Sequence, residues 1–138
     1  MATPHHRPSG GRPCCWPVGS RRLAREHVDQ ATAIAAEIGD VELAARADYH
    51  LAYVVSHDGD WEQALALTDR AREGLTVPWD QVANGLFATR AAISAGDEVR
   101  SLATREDLER WLPQVDDPWM QVRYEAMLGE LTRIQWRF

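Results

Sequence analysis

The sequence predicts an all-α protein, an α-solenoid of antiparallel helix hairpins with about six helices. Apolar residues recur every three or four positions from residue 21 onward, which is the period of an amphipathic helix. Gly-Asp pairs at 39–40, 59–60 and 96–97 interrupt this pattern. Since glycine commonly ends a helix and aspartate commonly begins one, each pair predicts a tight turn between two helices.

Two sequence offsets indicate a repeat. A shift of 40 residues takes Ala24 to Ala64 and Ala31 to Ala71, which makes the first predicted helix equivalent to the third. A shift of 37 residues takes the Gly-Asp pair at 59–60 to the pair at 96–97, so the second helix corresponds to the fourth. Repeats of this length are typical of α-solenoids.

The helix boundaries follow from local signals. We expect the first three helices at 22–38, 41–57 and 60–74, with Asp60 as the N-cap of the third. Pro78 opens the fourth helix, because the N–H that proline lacks has no partner in a first turn. The fifth helix has two candidate starts, a capping box of Thr104 and Asp107 or an earlier start at Asp97. Pro113 ends it in either case, and the pair at 117–118 begins the sixth.

Residues 1–20 are predicted to form a disordered tail, and residues 21–138 the helical domain. The tail holds four prolines and three glycines and has no periodic apolar pattern. Cys14 and Cys15 are adjacent and cannot build a disulfide framework, so reduced thiols and a cytoplasmic location are expected. Their adjacency also lacks the two-residue gap of zinc ligands, so no metal or other cofactor is expected.

Charge and hydropathy exclude two classes of partner. The chain has fifteen arginines, no lysine and a net charge of −6. Four of the arginines lie in residues 1–22, so the remaining eleven stand against 21 acidic residues, a net charge of −10. An acidic body binds nucleic-acid phosphates poorly. No apolar run approaches the roughly 18 residues that span a membrane, so a soluble protein is expected.

No arrangement of residues predicts catalysis. Ser56, His57 and Asp58 include the residue types of a hydrolytic triad, but sequence neighbours on a helix point in different directions. His50 and His57 are seven residues apart and make only a weak metal pair. The acidic residues on the predicted helices are interpreted as solvated faces and caps. We therefore expect a protein that is not an enzyme.

The segment LAYVVSHDGDWEQALALTDRA, residues 51–71, resembles a tetratricopeptide repeat in its Leu-Ala pair, its Gly-Asp-aromatic turn and its spaced alanines. The last segment, VDDPWMQVRYEAMLGELTRIQWRF at residues 115–138, looks like the repeat regions of large bacterial signal-transduction ATPases and transcriptional regulators of the LuxR and antibiotic-regulatory types, and this resemblance covers residues 22–138. The chain departs from those proteins because it has no phosphate-binding loop and no DNA-reading helix-turn-helix. The resemblance therefore implies partner binding and carries over neither ATP hydrolysis nor DNA binding.

In this interpretation the helices form two complete hairpins flanked by one unpaired helix at each end. Met127, Leu128, Leu131 and Ile134 are then expected to face a helix that is absent. We expect either a fragment of a longer regulator or a chain whose exposed terminal helices pair between copies as a homo-oligomer. Trp61, Trp111 and Trp119, near predicted turns and helix ends, are expected to pack between hairpins.

The resemblance also implies that the second, fourth and sixth helices line a concave face that binds a protein or peptide. An acidic peptide or partner helix would suit that face, because arginine pairs with carboxylates and tyrosine adds rigid contact area. A self-associating element and a small-molecule sensor with a pocket of about 300 Å³ are alternatives. The residues expected on the concave face are Arg46, Tyr49, Tyr53, His57, Arg90, Arg123, Glu130 and Arg133.

Overall fold

Every regular element in residues 18–135, the part of the chain that the computed structural model describes, is helical. The all-α prediction is confirmed for these residues. The helices are α1 (Val18–Ile38), α2 (Val41–Ser56), α3 (Trp61–Gly74), α4 (Pro78–Ala95), α5 (Glu98–Trp111) and α6 (Pro118–Gln135), with a 3₁₀ turn at Leu112–Gln114. Within this part of the chain, no helix is both long enough and apolar enough to cross a membrane.

The three Gly-Asp pairs form the same turn at three places. Each glycine has a left-handed backbone, with φ of 70°, 80° and 76° at Gly39, Gly59 and Gly96. Each aspartate is the N-cap of the next helix, and its carboxylate accepts a hydrogen bond from the backbone N–H three residues later, at 3.0 to 3.1 Å. The predicted turns and the Asp60 cap are therefore confirmed. Any residue other than glycine would be strained in this left-handed backbone conformation. The aspartate caps satisfy backbone N–H donors that have no partner within the first turn of a helix.

Two predicted boundaries are corrected. The helix α5 begins at Glu98 behind the Asp97 cap, so the earlier of the two candidate starts is the right one. The capping box is wrong, because Thr104 lies inside α5 and its hydroxyl donates to the carbonyl of Arg100 at 3.0 Å. The helix α1 begins at Val18, whereas the sequence predicted a start at residue 22. The rest of the predicted tail, with both cysteines, lies outside the described residues.

Each helix from α1 to α4 packs against the helix that follows it. Contacts also join α2 to α4 and α4 to α6, which brings these three alternate helices side by side. The largest apolar cluster connects α4, α5 and α6 through buried residues that include Val82, Leu86, Leu108, Met120 and Leu131. This cluster fixes α6 against α4 and sets the width of the surface between them.

Buried polar contacts fix α3 between its neighbours. The Arg70 guanidinium on α3 donates two hydrogen bonds to the buried Asp48 carboxylate on α2, at 2.5 and 3.0 Å. From α4, the Gln81 amide donates to the carbonyls of Leu75 and Arg72 at 2.6 and 3.0 Å. Since the last carbonyls of a helix have no partner within it, Gln81 satisfies the end of α3.

The prediction that the apolar residues of α6 face an absent helix is wrong for Met127 and Leu131. Both are buried in the cluster that joins α4, α5 and α6, with exposed fractions of 8% and 3%. The exposed positions of α6 include the polar residues Gln121, Glu125 and Thr132 as well as the apolar residues Trp119 and Val122. On α1, three large apolar residues, Leu23, Ile34 and Ile38, are exposed on one side of the helix.

The four tryptophans of the described residues divide into two groups. Trp61 and Trp111 are partly buried and pack against apolar clusters, as predicted. The packing prediction is wrong for Trp119, whose residue surface is 63% exposed in the first turn of α6. Trp79 is also exposed, and its indole N–H donates to the Asp117 carboxylate at 3.1 Å. The two exposed tryptophans thus belong to the N-terminal turns of α4 and α6.

Candidate binding groove

A groove face runs along α4 between α2 and α6. Asp80, Ala83, Phe87 and Arg90 are spaced by three or four residues, so they project from one side of the helix. Asp80 and Ala83 line a cavity shared with α2, and Arg90 lines a cavity shared with α6. We call this surface, with both cavities, the groove.

The first cavity lies between α4 and α6 and has a volume of about 490 Å³. Leu86, Ile93 and Met127 give it apolar walls. Four charged residues also line it, and they are Arg90, Arg123, Glu130 and Arg133. Three guanidinium groups and one carboxylate make this cavity cationic.

Arginine pairing distinguishes the first cavity from the rest of the described surface. Among the twelve arginines in residues 18–135, nine have a carboxylate oxygen within 4.0 Å. Within the first cavity, Arg133 pairs with Glu130 at 3.0 Å. Arg90 and Arg123 have no such carboxylate among the described residues, and the Arg123 guanidinium contacts the Met120 sulfur at 3.9 Å. The third arginine without an acidic partner in this part of the chain is Arg25, on α1.

The second cavity lies between α2 and the start of α4 and has a volume of about 390 Å³. Its lining includes the aromatic rings of Tyr49, His50 and Trp79. Arg46 also lines it, with its guanidinium 3.0 Å from Asp80 and 3.6 Å from Glu42. The lining itself contains one guanidinium, Arg46, and one carboxylate, Asp80, and the Glu42 carboxylate beside Arg46 adds a second negative charge next to the cavity.

Tyr49 connects the two cavities. Its ring packs edge-on against Phe87 with centroids 6.2 Å apart. Burial raises the pKa of the Tyr49 hydroxyl, and the positive charge of Arg123 opposes part of that rise. Tyr49 lines the second cavity and packs against the apolar cluster that contains Leu86 and Met127, and these two residues line the first cavity.

The structure distributes the eight predicted groove residues over three places. Arg90, Arg123, Glu130 and Arg133 line the first cavity, while Arg46 and Tyr49 line the second. Tyr53 and His57 lie farther along α2, with their rings 4.9 Å apart, and Tyr53 also contacts Phe87. The first two sets belong to the groove and the last pair extends it along α2.

Sequence reasoning missed Trp79, Asp80 and Phe87 as groove residues. Their spacing from Arg90 was a usable signal, since Asp80, Phe87 and Arg90 follow a helical period on a predicted amphipathic helix. Asp80 was easily overlooked, because an acidic residue in a first helical turn is also what the helix dipole favours.

The described residues contain no group of three or more His, Cys, Asp or Glu side chains placed to hold a metal ion. Comparison with family models, with curated proteins and with solved structures gives no match. Function has to be inferred from the chemistry of the groove itself.

Proposed function

We propose that this chain is a non-enzymatic helical-repeat interaction module that binds an acidic peptide or protein segment in the groove. We further propose that its hairpins form an α-solenoid of the tetratricopeptide type. Packing of successive helices, contacts between alternate helices and recurrent Gly-Asp turns support this arrangement. Origin in a bacterial regulator remains a prediction from the sequence resemblance.

The observation that carries the proposal is a pair of arginines, Arg90 and Arg123, that line one cavity and have no acidic partner within residues 18–135. In a chain with a net charge of −6, most described arginines are neutralised by the protein's own carboxylates. An arginine without such a partner keeps its planar set of N–H donors for a carboxylate from outside. Two of them beside apolar walls favour a ligand that combines acidic and apolar side chains.

The expected contribution of the two arginines is moderate, because both are accessible to solvent. Exposed ion pairs contribute about 0.2 to 1 kcal/mol each, and hydrogen bonds to charged groups about 1.5 to 3 kcal/mol. Taking about 1 kcal/mol for each arginine, removal of both weakens binding by about 30-fold. That loss is well above the error of a titration.

Fluorescence anisotropy tests the proposal with a short fluorescein-labelled peptide that contains two Glu and one Leu in a Gly/Ser background. We expect the wild-type protein to bind this probe more tightly than its Gln counterpart. We expect Arg90→Gln with Arg123→Gln to remove that preference. Arg25→Gln is the matched control, because Arg25 also lacks an acidic partner but lies on α1. Equal binding by the groove variant and the control, at unchanged helical circular dichroism, contradicts the proposal.

Self-association through α1 is a second candidate function, with a second copy of the chain as the partner. Leu23, Ile34 and Ile38 lie on one side of α1 and are 53%, 56% and 61% exposed. The start of α1 is basic, with arginines at 21, 22 and 25, whereas Glu37 and Asp40 lie at its end. An antiparallel pair of α1 helices would place the basic end of one copy over the acidic end of the other.

Sedimentation velocity at several concentrations tests this second candidate. A concentration-dependent dimer that Ile34→Glu and Ile38→Glu abolish, without loss of helicity, supports it. A folded chain that sediments as a monomer throughout contradicts it and leaves the groove proposal intact.

A further inference from the structure

The groove carries opposite charge in its two cavities. In the first cavity, Arg90 and Arg123 add two positive charges beyond the paired Glu130 and Arg133. In the second cavity, Arg46 faces both Glu42 and Asp80. The Asp117 carboxylate adds another negative charge nearby, since it accepts a hydrogen bond from Trp79. One face of α4 therefore runs from an acidic region to a basic one.

We infer that the groove binds a peptide in one chain direction, with a cationic side chain in the second cavity and acidic side chains in the first. This inference rests on the proposed function and deepens it, because it specifies the charge pattern of the ligand. The partner is a protein segment in which a Lys or Arg and an acidic cluster are separated by a fixed number of residues.

The aromatic lining of the second cavity suits a cation in particular. The residue surface of Trp79 is 45% exposed, and its indole N–H is held by Asp117. Tyr49 and His50 line the same cavity. A cationic side chain over an indole face is attracted by the ring, and the attraction grows as the site loses water. A carboxylate in that position would instead lie beside Asp80, while the one guanidinium of the lining, Arg46, is already shared between Asp80 and Glu42.

Helix geometry sets the spacing of the two ligand groups. Ala83 and Asp80 precede Arg90 by seven and ten residues, which corresponds to about 10 to 15 Å along α4. An extended peptide advances about 3.3 Å per residue, so three to five residues cover that distance. The cationic and acidic side chains of the ligand are expected at about this separation.

Labelled peptides with one Arg, a four-residue Gly/Ser spacer and two Glu, made in both chain directions, test the inference. Each is compared by fluorescence anisotropy with a counterpart in which Arg is replaced by Gln. For one direction we expect Arg to tighten binding about three- to tenfold. A shorter peptide without the spacer, in which Arg directly adjoins the two Glu, should lose that gain in affinity.

Protein variants then locate the cation. The tighter binding of the Arg-containing peptide should disappear in the Asp80→Asn variant and also in the separate Trp79→Ala variant. The matched control Glu106→Gln, an exposed carboxylate on α5, should keep it. Asp80→Asn also removes a partner of Arg46, so Trp79→Ala decides the outcome if the Asn variant loses helicity.

The outcomes separate this inference from the proposed function. One contrary result is that the Arg-containing peptide and its Gln counterpart bind the wild-type protein equally well, while the protein variant with both Arg90→Gln and Arg123→Gln binds both peptides more weakly. That result overturns the cation site and leaves the acidic-peptide groove intact. An equal gain in both chain directions, or a gain that survives both variants, also overturns the inference. If no Glu-containing peptide binds, both the inference and the proposed function are overturned.

Discussion

Arg70 on α3 and Asp48 on α2 form a two-point ion pair, with the guanidinium donating to both carboxylate oxygens at 2.5 and 3.0 Å. The Asp48 side chain is only 10% exposed, whereas that of Arg70 is 64% exposed. The hydrogen bond and charge of Asp48 raise the pKa of Arg70. This contact ties together the two helices on either side of the Gly59 turn.

Replacement of Arg70 by Ala should destabilise the protein, because it leaves a buried carboxylate without its donor. The expected loss in free energy of unfolding is about 1 to 3 kcal/mol, measured by urea denaturation. Arg22→Ala is the matched control, since Arg22 pairs with Glu26 at 3.8 Å between two exposed side chains. We expect less than about 0.5 kcal/mol for the control. Equal losses for the two variants would show that the buried pair has no special role.

Two helical glycines should respond in opposite directions to substitution by alanine. A Cβ at Gly74 would lie 2.8 Å from the Ala45 Cβ and 3.2 Å from the Val41 carbonyl oxygen, so α2 and α3 would have to separate. A Cβ at Gly129 meets nothing within 4 Å. Gly74→Ala is expected to cost about 1 to 3 kcal/mol, and Gly129→Ala to add about 0.5 to 1 kcal/mol. Thermal and urea unfolding measure both, and a stabilising Gly74→Ala would disprove the close α2–α3 contact.

The Gly-Asp turn makes a separate prediction at residues 59–60. Asp60→Ala removes the side chain that caps α3, which should lower the free energy of unfolding by about 1 kcal/mol. Gly59→Ala places a Cβ on a backbone with φ of 80° and should cost about 1 to 2 kcal/mol. Asp29→Ala, at an exposed position inside α1, is the control and should have little effect. Unchanged unfolding curves for both turn variants would contradict the capped turn.

Acid should weaken the contact between α5 and α6. The Tyr124 hydroxyl donates to the Glu109 carboxylate at 2.8 Å and Arg105 donates to it at 3.0 Å, and both hydrogen bonds lower the pKa of Glu109. A carboxyl group with a lowered folded-state pKa contributes stability above its unfolded-state pKa, near 4.3, and loses it as the pH falls through the folded value.

The test compares wild type with Tyr124→Phe by urea denaturation at several pH values. Tyr124 gives the larger of the two hydrogen-bond effects on Glu109, and phenylalanine preserves the buried ring. Wild type should be more stable near neutral pH, and the difference should shrink below about pH 4. Parallel stability curves over the whole range would rule out this contribution from Glu109.

Local signals account for the boundaries that the sequence predicted correctly. Gly59 with Asp60 and Pro78 act through backbone conformation and capping within a few residues, so they can be interpreted without knowing the tertiary structure. The same local logic failed at Thr104, where a cap-like spacing occurs inside a helix. There the hydroxyl bonds back to the preceding turn and accepts a hydrogen bond from Thr89 on α4.

Packing partners were harder to predict than helices. The periodic pattern of α6 shows that Met127 and Leu131 share an apolar side, but it does not identify the neighbour that covers them. Pairing the helices as in the repeat family predicted that Met127 and Leu131 face an absent helix. In the structure they pack in the apolar cluster with Leu86 and Leu108. For the same reason, the sequence predicted only some of the residues that line the groove. Arg90 and Arg123 followed from the resemblance, but their lack of acidic partners depends on distances that a sequence does not contain.

Nuclear magnetic resonance of arginine side chains shows whether Arg90 and Arg123 receive an acidic ligand. In ¹⁵N-labelled protein, the Nε–Hε signals of these two residues are assigned by single Arg→Gln substitutions. The Glu-containing peptide is then titrated, with its Gln counterpart as the control. Saturable shifts of the Arg90 and Arg123 signals, with an unchanged Arg25 signal, are the predicted result. Unmoved signals at both residues while the peptide binds, or equal shifts at Arg25, would contradict the account.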